Sequence, residues 1–206
     1  MHPIGSASVN LLNREFVFFT GNCRVRVDDG ETFELVSPMS FKYSSVLTKL
    51  GYGVWAVGGA VTVANSPSVK ISEGYVRADN ARAFVSLPLT IAEGAGIAAK
   101  YRPGATDEAS QYGLLVTDAA KFTVAGGTVA FMAEMPAGTV VKASMRVPLL
   151  TVPPAVAAVL DTKKLILVQN VDGRQGVVEK DEVTIGDVQY VRYSGKFRRG
   201  FLLSVR

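Results

Sequence analysis

CRVRVDDGETFELV, residues 23–36, alternates apolar and polar residues on both sides of an Asp-Asp-Gly turn. Such alternation is the period of a half-buried strand, and it predicts two strands joined by a hairpin. A two-residue turn at Asp29-Gly30 would set Arg26 opposite Phe33 and split the apolar face. A three-residue loop, Asp28-Asp29-Gly30, instead aligns Val25 with Phe33 and Cys23 with Leu35. Arg24 then meets Glu34 on the other face, and Gly30 takes the left-handed position.

The rest of the chain reads in the same style. VTIGDVQYV (183–191) predicts a second hairpin, with Gly186-Asp187 as its turn, Ile185 facing Val188 and Val183 facing Tyr190. Asp172-Gly173 marks a third reversal, between KLILVQN and RQGVVEK. Further strands are expected in EFVFFT (15–20), VKISEGYVR (69–77), ARAFVSLPLTI (81–91), GIAAKYR (96–102) and YGLLVT (112–117). KFTVAG (121–126), TVAFMA (128–133) and TVVKASMRV (139–147) follow, with turns at Gly126-Gly127 and Pro136-Ala137-Gly138. Strands separated by turn signals every ~8–12 residues predict an all-β fold, an antiparallel sandwich or barrel with a jelly roll among the options. Helix is expected only in YSSVLTKL (43–50), in TDEASQY (106–112) behind Thr106 as N-cap, and, with strand as the alternative, in AVAAVL (155–160). No internal repeat is evident.

VPLLTVPPAV gives the best domain boundary. It divides a β-rich body, residues 1–150, from a small β subdomain or added sheet layer, residues 155–206; a single continuous domain is the other reading. Residues 50–69 form an uncharged run between Lys49 and Lys70, about the length of a spanning helix. Four glycines and a proline make a poor helix, while Val54, Val57, Val61 and Val63 favour buried strands with a bend at Gly58-Gly59. No membrane insertion is expected.

Apolar residues make up 48% of the chain and charged residues 19%, below the ~25% of average globular proteins. An apolar-rich, charge-poor chain is expected to bury surface against copies of itself or other subunits. One cysteine excludes an internal disulfide. Arg14 and Glu15 interrupt the first apolar run before any cleavage signal, so folding in a cytoplasm is expected.

Catalytic constellations are scarce. The single histidine, His2, lies near the N-terminus, and no second imidazole exists to build a triad or zinc site. Cys23 is expected to be a buried, inert thiol, because strand alternation sends Arg24 and Arg26 to the opposite face. Asp79, Glu93, Asp107, Glu108 and Asp118 fall mostly in turns, and nothing in the sequence brings two of them together. AEGAGIAAKYRPG fits neither a phosphate-binding loop nor a dinucleotide fingerprint. No catalytic residue, cofactor, metal or small-molecule substrate is therefore expected.

Charge is uneven only at the C-terminal end, where Arg192, Lys196, Arg198, Arg199 and Arg206 interleave with Tyr190, Tyr193, Phe197 and Phe201 without an acidic residue. Such a face could contact a polyanion or acidic partner through Arg192, Lys196, Arg198 and Arg199. The plainer reading is a final hairpin whose cations are solvated or paired with Glu179, Asp181 and Glu182.

In general character, and in VTIGDVQYVRYSG, the chain resembles small bacteriophage virion proteins; that segment resembles the closing hairpin of some connector and tail proteins. The resemblance implies a non-enzymatic virion component (a capsid, decoration or connector/tail subunit) whose partners are its own copies and other subunits. Two alternatives from other classes are a nucleic-acid-binding β-barrel using the C-terminal basic face and a carboxylate-dependent hydrolase.

Overall fold

The computed structural model describes residues 7–9, 16–18, 21–142, 144–169 and 175–197, with side chains from Gly21 onward except 169 and 175. The strands are β1 (Ala7–Val9), β2 (Phe16–Phe18), β3 (Gly21–Arg26), β4 (Thr32–Leu35), β5 (Met39–Phe41), β6 (Ser45–Leu50) and β7 (Val54–Val57). Next come β8 (Val61–Val63), β9 (Ser68–Ile71), β10 (Tyr75–Ala78), β11 (Leu89–Ile91) and β12 (Gly96–Lys100). Then follow helix α1 (Glu108–Tyr112), β13 (Leu114–Leu115), β14 (Phe122–Val124), β15 (Thr128–Glu134) and β16 (Arg146–Val152). Helix α2 (Pro154–Leu160), β17 (Lys164–Gln169), β18 (Gln175–Ile185) and β19 (Val188–Lys196) are the last of the described elements.

The protein is mostly β, with 50% strand and 9% helix, but its body is not built from hairpins. β3 and β4 do not pair. β3 lies parallel to β6, with Cys23 opposite Leu47, and β4 lies parallel to β7, with Phe33 opposite Trp55. The chain coils through three faces in turn, and each strand pairs with its equivalent one coil later. Face A stacks β1, β4, β7, β10, β12, β15 and β17; face B begins with β2, β5 and β8; face C stacks β3, β6, β9, β11 and β14. Val54 pairs with Tyr75 and Tyr75 with Gly96, a coil of 21 residues each time. This is a parallel β-solenoid, and the repeat that was not evident in the sequence is its coil.

The expected hairpin turn is a coil corner. Glu31 N–H donates to the Asp28 carbonyl at 3.1 Å, and Gly30 has φ +76°. The same corner, from face C to face A, recurs at Gly51, Gly74, Gly94 and Gly126, all with φ between +64° and +80°. At Gly74 a Cβ would stand 2.5 Å from both the Gly51 carbonyl and Lys49 Nζ, so stacking leaves room only for hydrogen.

Coiling aligns inward side chains into rows. On face A, Phe33, Trp55, Val76, Ile97, Phe131 and Leu167 follow one another through the core. On face C, Cys23, Leu47, Val69, Leu89 and Phe122 do the same. Cys23 is half-buried rather than enclosed, with Arg24 exposed on the outer side.

Other expectations change with the topology. Residues 43–50 are not helical; Ser45–Leu50 is β6, whose alternate residues Ser45, Leu47 and Lys49 point inward. VKISEGYVR is two strands on different faces, and residues 81–86 form successive turns rather than a strand. The strand expected at 139–147 begins only at Arg146. Helix α1 is capped by Asp107, whose carboxylate accepts from Ser110 N–H, not by Thr106. The uncharged run 50–69 holds β7, buried throughout, and β8; among the described residues no helix is long and apolar enough to cross a membrane.

At the C-terminal end the topology becomes antiparallel, as expected. β18 and β19 form a long hairpin in which Ile185 faces Val188 and Val183 faces Tyr190, with Gly186 at φ +60°. Asp172-Gly173 lies outside the described residues; the strands flanking it, β17 and β18, pair antiparallel. β13 and β16 stand in the face-B position of the last coils: they pair parallel, and Leu115 N–H donates to Ala81 of the turn above. The hairpin joins the two faces, β18 pairing with β17 of face A and β19 with β16 of face B. Residues before and after the Pro153-Pro154 bridge thus share one sheet. Helix α2 takes the face-C position of the last coil, beside β14, with Val156, Ala157 and Leu160 buried. Hairpin and helix together close sheet edges that would otherwise offer unpaired backbone groups.

Candidate functional site

Two charged clusters stand out, one on the coils and one where coil meets cap. The first is an arginine buried on the outer side of face A. Strand alternation puts Val76 and Ala78 in the core and Arg77 outward, yet Arg77 is only 4% exposed. Its Nε and Nη2 donate to the two Asp79 carboxylate oxygens at 2.9 and 2.7 Å, and its Nη1 donates to Glu134 of β15. Glu34 of β4 stands 3.9 Å away. Arg102 meets the same Asp79 at 2.6 Å and Asp107 at 3.5 Å. Burial opposes the charge on Arg77, but the hydrogen bonds and charges of Asp79 and Glu134 outweigh it and raise its pKa.

Two of the acids weighed in the sequence, Asp79 and Asp107, are therefore brought together on Arg102. Glu108 is held apart from them by a bidentate pair with Arg82, at 2.8 Å on each oxygen. That hydrogen bond from Arg82 holds Glu108 below the usual carboxylate range, and the Ser110 hydroxyl does the same for Asp107. Glu93 accepts from Gly127 N–H and Asp118 caps the Ala119–Lys121 turn through Ala120 N–H. Each of the five acids serves a turn, a cap or an arginine. Among the described residues no three metal-ligating side chains converge.

The second cluster is the outer face of the cap, where Arg192 and Lys196 lie. Strand β19 places Arg192 opposite Asp181 and pairs its neighbours along β18. Arg192 donates to both Asp181 oxygens at 3.2 and 2.5 Å and to the Gln111 carbonyl at 3.0 Å. Lys196 donates to Glu179 at 2.8 Å, and Arg146 of β16 pairs with the same carboxylate. Arg198 and Arg199 lie outside the described residues. Arg146, Glu179, Lys180, Asp181, Arg192 and Ser194 line a shallow cleft of about 310 Å³ in which cations and carboxylates alternate. A polyanion would have to displace these carboxylates, so the arrangement favours the paired reading of Arg192 and Lys196.

Behind the hairpin, Tyr193 is buried against α2 and donates to Asp161 Oδ1 at 3.2 Å and to the Ala157 carbonyl at 3.3 Å. Burial, then the Asp161 charge, raises its pKa far above that of a free phenol. Lys180 donates to the other Asp161 oxygen at 2.5 Å and holds that carboxyl low.

Sequence reasoning missed both Arg77 and Lys49. Lys49 stands in the inward row between Val25 and Ile71 and is fully enclosed. Its ammonium donates to the corner carbonyls of Gly51, Gly53 (2.6 Å) and Glu73 (3.0 Å), while Gly51 N–H donates to the Glu73 carboxylate at 2.6 Å. The signal was the alternation Ser45-Leu47-Lys49, which sets the lysine on the buried side once the segment is a strand.

These features define a capped β-solenoid with ion-paired charge clusters. No family model, curated protein or solved structure matches the chain.

Proposed function

We propose that the protein is a non-enzymatic structural subunit of a larger assembly, in the first place a bacteriophage virion component of the capsid, decoration or connector/tail type, located in the particle after synthesis in the host cytoplasm. The observation that carries the reading is the solenoid itself. Its coils stack strand on strand in register, so the molecule presents regular faces, the geometry by which repeat proteins hold partners. The charged clusters described above are internally paired: one links coil to coil and the other fastens the closing hairpin to β16 and α1. Arg77 alone links residues from three strands of face A. The virion assignment rests on the resemblance of VTIGDVQYVRYSG and of the chain's general character.

Size-exclusion chromatography with light scattering, over a range of concentrations and with extracts containing the source particle, tests the proposal. A self-associating species, or co-migration with the particle, is the expected result. A stable monomer at high concentration that joins no assembly overturns it.

A further inference from the structure

Face C carries outward cations and no carboxylate on its five strands, GNCRVR, SVLTKL, SVKI, LTI and FTV. Coil register places Arg24, Thr48, Lys70, Thr90 and Thr123 in one outward row. Arg24, Lys70 and Thr123 are exposed, and Thr48 and Thr90 half-exposed. Among the described residues neither Arg24 nor Lys70 has an ion pair or side-chain hydrogen bond, in contrast to the paired cations of the cap. Arg26, also outward, is paired with Asp28 at 3.0 Å. The nearby acids Glu73 and Glu93 are engaged by backbone N–H groups of Gly51 and Gly127 at the corners.

We propose that this row is a docking surface for the acidic face of a neighbouring protein subunit. Unpaired cations flanked by hydroxyl donors, on a face without carboxylates, complement a row of carboxylates. The row advances by one side chain per strand, about 4.8 Å, which is the step of side chains stacked across the strands of another sheet. A single-stranded nucleic acid would need aromatic platforms, and the outward residues of these strands include none. The inference rests on the assembly reading and names the chemistry of the partner.

Fluorescent poly-L-glutamate, followed by anisotropy with the full chain, tests it. Binding that weakens by about tenfold or more as salt rises through the physiological range is expected. The double variant Arg24→Glu/Lys70→Glu should weaken it by a further tenfold or so, because both cations lie in the contact. Lys100→Glu, on face A, should leave it within about twofold. The face is overturned by no binding, by equal loss in the Lys100 variant, or by an oligothymidylate of equal charge binding as tightly, which would make it a nucleic-acid surface. Light scattering on the wild-type protein separates the two readings. Self-association without poly-L-glutamate binding sinks the face alone; a wild-type monomer that joins no assembly sinks the assembly.

Discussion

Lys49 makes the coil testable by pH. Its ammonium is enclosed, and burial pushes its pKa down from 10.5 to about 8, with Glu73 pulling the other way. The unfolded chain keeps that proton up to the ordinary lysine value. Between about pH 8 and 10.5 the unfolded state therefore binds more protons than the folded state, and stability rises with pH. Below that window the full cost of enclosing the charge is present. Each pH unit corresponds to about 1.4 kcal/mol, so the whole window amounts to about 3.5 kcal/mol, roughly 2.5 of it gained by about pH 10. Tyr193 and Tyr75 act in the opposite sense. Burial raises both phenols, so the unfolded state releases their protons first and stability falls above about pH 10. The two effects together place a stability maximum near pH 10. Urea unfolding at a series of pH values between about 7 and 10 reads the slope directly. Lys49→Met keeps a linear side chain but removes the titrating group, and the slope should disappear with it. A wild-type stability that stays flat across this range, or a slope unchanged in the Met variant, would refute an ammonium sealed at the coil corner.

Two further outcomes follow from the packing. Gly74→Ala forces a Cβ to within 2.5 Å of the Gly51 carbonyl at φ +64°; a loss of about 2 kcal/mol or more is expected in denaturant midpoints, whereas a change under ~0.5 would contradict the stacked corner. Arg77→Met leaves Asp79 and Glu134 without their buried partner and should cost about 3–5 kcal/mol. Arg77→Lys should recover little of that, since a lysine cannot reproduce the two-pronged contact with Asp79; full recovery in thermal melts would show that charge alone suffices.

What the residues determine locally, they determined well. Alternation in residues 23–36 places strands on either side of Asp28-Asp29-Gly30, and that glycine is left-handed, because both depend on a few neighbouring residues. The final hairpin, including Ile185 opposite Val188, was legible for the same reason: its two strands are joined by two residues, so turn chemistry fixes their register. Alternating strands around a glycine turn look the same, however, whether the chain doubles back or rounds a corner onto a new face. Cys23 could pair with Leu35 across a hairpin or with Leu47 one coil on, and both choices keep the apolar side inward. Only stacking along the whole molecule decides, since each coil buries its inner row against the coils on either side and none can do so alone. The same stacking turned Lys49 from the end of an expected helix into an enclosed donor, and drew Arg77, Glu134 and Glu34 together from positions far apart in the chain. Local sequence thus determined strands, turns and the closing hairpin; tertiary structure decided which strand lies beside which, and with it where every isolated charge resides.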